Sequence, residues 1–157
     1  MNYIISLNCC KVDAKNEQEA KAKALGVINV REAAPLVTLP LNVYEYLREF
    51  RDKQKEYFIV LHLNTQNEII RREIVSIGSL NASLVHCREV YRSAITAGCA
   101  SILVCHNHPS GSLTPSAEDL SITKRLADAG KILGINLTDH VIITKENYYS
   151  FREHNLI

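Results

Sequence analysis

The chain has 157 residues, of which 46% are hydrophobic and 22% charged, with a formal net charge of +1. That length favours one domain, and such a chain buries roughly two-thirds of its unfolded surface, so a disordered chain is excluded. The balanced charge leaves no basic footprint for nucleic acid and no acidic tail. The pairs Arg71–Arg72 and Lys124–Arg125 are too short to form a patch.

The N-terminus reads as an extension over residues 1–40. Tyr3–Leu7 is a short apolar run and reads as a strand. It has no basic leader, and its apolar run is too short for a signal peptide. Asp13–Leu25 is rich in Ala, Glu and Lys and reads as an exposed helix. A linker closed by Pro35 and Pro40 follows. Residues 41–157 read as the main domain. Its first helix spans residues 41–54, with Val43, Leu47 and Phe50 on one face and Asn42 as a cap. Phe58–Leu63 and Ile69–Ile77 are β-rich runs joined by the turn cluster "NTQN", which makes a hairpin. Residues 81–98 read as a helix with Val90, Ala94 and Ile95 inward and Gly98 as its stop. Ser101–Cys105 is a short apolar run suited to a central strand. Residues 115–134 give the longest helix, with Ile122, Leu126, Ala129 and Leu133 in its apolar stripe and Gly134 at its end. Residues 140–144 and 148–151 read as a closing hairpin. Strands alternating with helices predict one α/β domain, a mixed β-sheet flanked by helices. No apolar run reaches 18 residues, so no membrane span is expected.

Five cysteines, an odd number without any C-x-x-C pair, argue against a disulfide framework or a four-cysteine zinc site. Reduced thiols in a cytoplasmic protein are the expectation. The Asn-x-Ser/Thr patterns at Asn81 and Asn136 carry no weight without a secretion signal.

Chemistry concentrates in "HNHPSGSLTPSAED", residues 106–119. Residues i and i+2 of an extended chain point the same way. His106 and His108 therefore face one point at the end of a strand, while Cys105 and Asn107 face the other side. Pro109, Gly111 and Pro115 turn the chain back, so that Asp119 approaches the same point from the first turn of the next helix. Two imidazoles and a carboxylate make a three-ligand set for catalytic zinc. The same set suits Fe(II) as a facial triad, and the Gly–Ser turn alone suits an anion nest. Ser116 is placed to cap the helix. Other histidines are weaker candidates. His140 reads as a core histidine or as a partner of a ligand, and His62 and His154 show no partner pattern. His86 and Cys87 fall at a helix start, where a reactive thiol is conceivable but a Cys–His nucleophile is disfavoured.

The stretch fits the pattern H-x-H-P-x(6)-S-x-x-D and resembles the JAMM (JAB1/MPN+) metalloproteases. "VHCREVYRSAI", "LVCHNHPSGSLTPSAEDLSIT" and "LTDHVIIT…YYSFRE" are similar to their bacterial RadC-like branch, over residues 41–157. The resemblance implies the JAB1/MPN topology, which is cytidine-deaminase-like. It also implies one Zn²⁺ per chain on His106, His108 and Asp119, with Ser116 helping to hold the oxyanion. The family's catalytic glutamate heads the strand after the first core helix, a place held here by Glu56. Glu73, on the second hairpin strand, is its nearest rival; Glu45, Glu49 and Glu68 fit less well. In that reading zinc acidifies a water molecule, and Glu56 takes its proton and gives it to the leaving amine. Ser79 and Asn81 fall in a loop that in the family lies near the substrate groove, though a simple turn and helix cap also fits them.

The expected function is a zinc hydrolase acting on a peptide or isopeptide bond of a peptide or protein substrate. A binding module on the same fold and an accessory factor in DNA repair are the alternatives. Full-length members of the branch carry an N-terminal helix-hairpin-helix region, for which the first forty residues leave no room. With near-zero net charge, strong nucleic-acid binding by this chain is not expected.

Overall fold

The computed structural model describes residues 3–7, 10–14, 34–78 and 85–157. The chain divides into two compact units, Met1–Ala34 and Pro35–Ile157. In the first, β1 (Tyr3–Leu7) pairs antiparallel with β2 (Cys10–Ala14). The strand expected at Tyr3–Leu7 is present. Asp13 and Ala14 end β2 and do not open a helix: they pair with Ile4 and Tyr3, and the ladder overrides their helix propensity. The rest of the predicted helix lies outside the described residues.

The second unit is a small α/β domain. Its strands are β3 (Glu56–Leu63), β4 (Ile69–Gly78), β5 (Ser101–Asn107), β6 (Asn136–Ile143) and β7 (Tyr148–Ser150). Its helices are α1 (Pro40–Tyr46), α2 (Cys87–Ala97) and α3 (Ala117–Leu133). The strand order is β4-β3-β5-β6-β7. Only β5 and β6 run parallel, as their connection through α3 allows; every other pair is antiparallel. This is the mixed sheet flanked by helices that the sequence predicts. Among the described residues no helix is long and apolar enough to cross a membrane.

Strand periodicity splits the core between the two sheet faces. Ile59, Leu61, Leu103 and Cys105 pack with Val43, Leu47 and Phe50 beside α1. Phe58, Val60, Ile102 and Val104 pack with Val90, Tyr91, Ala94, Ile122 and Leu126 of α2 and α3. Burying each large apolar side chain contributes roughly 1.5–3 kcal/mol. The alternation also decides where the polar residues go. His106 continues the even-numbered face of β5, toward α2 and α3. Glu56 continues the same face of β3.

Several elements depart from the sequence reading. The first helix does not run through residue 54. It ends at Tyr46, and a 3-10 turn follows at Arg48–Phe50. Arg51 ends it by donating to the Tyr44 carbonyl from Nη2 at 2.5 Å and Nε at 3.2 Å, with its guanidinium over the Tyr44 ring. Asn42 caps from inside the helix: its Oδ1 accepts the Leu39 N–H at 2.9 Å. α2 starts at Cys87, later than expected, and the start of the predicted helix (residues 81–84) lies outside the described residues. Ile95 is 60% exposed and Leu133 46%, so neither belongs to its helix's inward stripe. On α2 the inward face turns toward Tyr91 and Ser93. Ser93 accommodates the buried His62, whose Nε2 lies 2.9 Å from Ser93 Oγ. β6 begins at Asn136, so His140 sits inside a strand and does not begin one.

α3 approaches the start of β6 closely at Gly130. A Cβ there would lie 2.5 Å from the Ile135 carbonyl oxygen and 2.5 Å from Tyr91 Oη. Tyr91 Oη donates to the Leu126 carbonyl at 2.8 Å, so it is not free to give way. Gly130→Ala is therefore expected to destabilise the domain by about 2–3 kcal/mol. That corresponds to a loss of roughly 5–10 °C in melting temperature. A thermal melt within 1 °C or so of wild type would show that α3 can move away from β6 at little cost.

Candidate metal centre

β5 delivers His106 as its penultimate residue, and His108 follows just past the strand end. The loop to α3 is held by its own bonds. The His108 N–H donates to the Ile143 carbonyl, and the Gly111 N–H to the His108 carbonyl. Gly111 has φ +78°, a left-handed conformation that glycine adopts without strain. Ser116 caps α3: its Oγ accepts the Asp119 N–H at 3.1 Å and donates to Asp119 Oδ2 at 2.7 Å. The Ser116 N–H donates to the same Oδ2 at 2.8 Å. This reciprocal cap fixes the Asp119 carboxylate at the helix N-terminus, where the dipole favours negative charge.

Three ligand atoms converge. His106 Nε2 and His108 Nε2 are 2.9 Å apart. Asp119 Oδ1 is 3.2 Å from His106 Nε2, and Oδ2 is 3.6 Å from His108 Nε2. Among the described residues this is the cluster whose ligand atoms all lie within 4.8 Å of one another. A cation fits it better than the side chains alone do. Asp119 Oδ1 is buried and accepts no hydrogen bond, despite its short contact with His106. His108 Nδ1 lies 2.7 Å from the Ser112 carbonyl, which can only accept. Neutral His108 therefore carries its hydrogen on Nδ1 and turns a bare Nε2 to the cluster. An orphaned carboxylate oxygen facing imidazole lone pairs is a donor set for a metal such as zinc.

The electrostatics agree. Burial pushes the Asp119 carboxyl up, but the adjoining His106 and His108 rings, with the Ser116 hydroxyl, hold it well below the usual carboxylate range. Burial pushes His106 down, and burial pushes His140 far down. Burial also works against a charged His108, yet Asp119 and the Ser112 carbonyl raise it above the ordinary value.

Glu56 lines a cleft of about 300 Å³ together with His108, Ser110, Ser112, Ser116, Glu118 and Asp119. Its charge acts on both His106 and His108. Asn107, pointing to the opposite face from its neighbours, holds the segment that carries Glu56. Its Oδ1 accepts the Tyr57 N–H at 2.8 Å, and its Nδ2 donates to the Lys55 carbonyl at 3.0 Å and the Lys53 carbonyl at 3.3 Å. Glu73 is elsewhere. It pairs with Val60, four residues along β3 from Glu56, a separation of roughly 13 Å. Its carboxylate pairs with Arg71. Ser79 and Asn81 lie outside the described residues. A cavity of about 470 Å³ elsewhere holds the buried Asp139. That carboxylate is satisfied by Ser150 Oγ and the N–H groups of His140 and Arg152, so the cavity presents no orphaned group.

Residues 37–156 match the family described as the RadC-like JAB domain. The chain belongs to this family. A UPF0758 protein of Methanosarcina mazei is 44% identical over 129 residues, 82% of this chain and 56% of that protein. One from Chlorobium chlorochromatii is 47% identical over 117 residues, 74% of this chain and 53% of its own. One from Geobacillus thermodenitrificans is 50% identical over 107 residues, 68% and 47% respectively. The chain spans about half the length of the curated relatives it matches.

The buried histidines make the metal-free JAB domain acid-sensitive. His62, His106 and His140 have folded values below 6.5, so the unfolded chain binds protons that the native state refuses. Stability from these groups is fully present above pH 6.5 and is lost as the pH falls below it toward the folded values. His108, raised, is already protonated in both states below pH 6.5, so it adds no slope there. The loss is up to about 4 kcal/mol per pH unit below 6.5, about 1.36 for each of the three. Urea titrations of the chelated protein at pH 7.5 and 5.5 should show the lower midpoint at pH 5.5. A higher midpoint there would mean that these imidazoles take up protons in the native state.

Proposed function

We propose that this JAB domain is a zinc-dependent hydrolase that cleaves a peptide or isopeptide amide bond, with one zinc per chain. One observation carries the reading: Asp119 Oδ1, buried and without a hydrogen bond, faces two imidazole nitrogens beside an open cleft that Glu56 borders. His106, His108 and Asp119 would hold the ion. When bound, zinc supplies a Lewis acid that polarises a carbonyl and acidifies water.

The remaining work falls to side chains of this chain. Glu56 Oε accepts a proton from the attacking water and returns it to the leaving nitrogen. Asn107 keeps Glu56 in place through the backbone on both sides of it. Ser116 positions Asp119 and is the hydroxyl we assign to the developing oxyanion, its one proton turning there from Asp119 Oδ2, which keeps the Ser116 N–H. We take the substrate to be a peptide or protein, with its reacting carbonyl in the cleft beside His108 and Glu56. The near-neutral charge supports no strong nucleic-acid binding by this chain. Cys87, Cys99 and Cys105 are free thiols, in keeping with a reducing, cytoplasmic setting.

A screen of peptide and isopeptide libraries tests the activity. Cleavage should stop on chelation and return with stoichiometric zinc. Cleavage that survives exhaustive chelation would assign the reaction to other residues.

A further inference from the structure

His106 has a second ring nitrogen, and its partner is another imidazole. His106 Nδ1 lies 2.8 Å from His140 Nε2. His140 Nδ1 lies 2.5 Å from Thr123 Oγ1, and Thr123 Oγ1 lies 2.5 Å from the carbonyl oxygen of Asp119. The line is closed to solvent: His106 and His140 are 0% exposed and Thr123 is 2% exposed. Phe151 stacks on the His140 ring, and Phe58 meets it edge-on.

One placement of protons satisfies every contact from His106 Nδ1 to Asp119. A carbonyl oxygen only accepts, so the single Thr123 hydroxyl proton goes to Asp119. The Thr123 oxygen then accepts, and His140 Nδ1 carries the hydrogen that it receives. Between neutral partners and without exposed surface, the His140 ring stays neutral. Its Nε2 is therefore a lone pair, and His106 Nδ1 must donate to it. His106 Nε2 is left bare, facing the equally bare Nε2 of His108. A cation or a proton has to lie between two lone pairs at 2.9 Å.

We propose that Thr123 and His140 are positioning residues that set the tautomer of His106 and so make its Nε2 a metal ligand. The proposal rests on the zinc reading above. It gives α3 two duties at the site. Its first turn supplies Asp119 as a ligand. One turn later, Thr123 uses the backbone carbonyl of the same Asp119 to set the protonation of a second ligand. Metal-ligating histidines usually hand their other N–H to a carboxylate, a carbonyl or water. Here the acceptor is a histidine whose own state is set by a threonine.

The test is two-bond ¹H–¹⁵N correlation spectroscopy on the ¹⁵N-labelled full chain after chelation, paired with zinc affinity from competition with a chelating dye. Wild type and Thr123→Ser should show His106 protonated on Nδ1. Thr123→Val keeps the shape but removes the acceptor. His140 then carries its hydrogen on Nε2 and donates to His106, which shifts to the Nε2–H form. Zinc affinity should fall about 10–100-fold in Thr123→Val and recover in Thr123→Ser. His140→Phe removes the acceptor directly and should leave His106 as a mixture of both forms. A purely structural role would leave the tautomer unchanged in Thr123→Val. That result, or a bare Nδ1 at His106 in wild type, overturns the proposal. The expected tautomers in a wild type that binds no zinc would sink the zinc reading and leave the relay standing.

Discussion

Glu56→Gln is expected to slow hydrolysis of any substrate found by screening by at least about 10²-fold, while zinc content and melting temperature stay at wild-type levels. The amide keeps the size and hydrogen-bonding reach of the carboxylate but cannot take a proton at neutral pH. Metal content should hold because the ligand atoms belong to His106, His108 and Asp119, and Glu56 lines the cleft beside them. Stability should hold because Glu56 is only half-buried, at the head of β3. Glu73→Gln in parallel should leave the rate within about twofold, since Glu73 stands opposite Val60 and pairs with Arg71. A collapse in Glu73→Gln with an unchanged rate in Glu56→Gln would put the base on the wrong strand. Zinc lost from Glu56→Gln would make Glu56 a ligand.

His106→Ala combined with His108→Ala should abolish zinc binding altogether while a cooperative unfolding transition survives. A lone carboxylate does not retain zinc in competition with water and buffer, since the ion takes four ligands of mixed N and O type. The fold should persist because the apolar clusters on both sheet faces exclude these residues. Removing two imidazoles, one of them fully buried, still leaves a void, and a cost of a few kcal/mol follows. The metal-free wild type is therefore the reference for the melt. Full zinc retention in the double variant would mean that the ion binds elsewhere, and loss of the transition would mean that the site is structural.

How much of this could be read beforehand differed from residue to residue, for physical reasons. His106, His108 and Asp119 were legible because the geometry that joins them is local. A period of two along a strand and one helix start after a turn suffice. Glu56 stands fifty residues from His106, and only the family resemblance pointed to it. Its place beside the site depends on the pairing of Phe58 with His106. In sequence His140 reads as a core histidine or as a partner of a ligand. It reaches His106 because β6 lies parallel to β5 with a register shift between Ile102 and Leu103, which no local pattern announces. Thr123 reads in sequence as an ordinary helix residue. The strand period puts Asn107 on the far side of the strand, but its hold on the Glu56 segment is a contact of its side chain with backbone groups about fifty residues away. The apolar stripes do not extend to Ile95 and Leu133, which are exposed near the C-terminal ends of their helices. The first helix failed because a single arginine, Arg51, ends it from outside.

The central claim is that this chain holds zinc, and elemental analysis of the protein purified without added metal tests it most directly. The predicted result is about one zinc per chain in wild type, none in the double histidine variant, and release on chelation. Stoichiometric iron in the native protein, or no metal in a folded and unchelated sample, would contradict it.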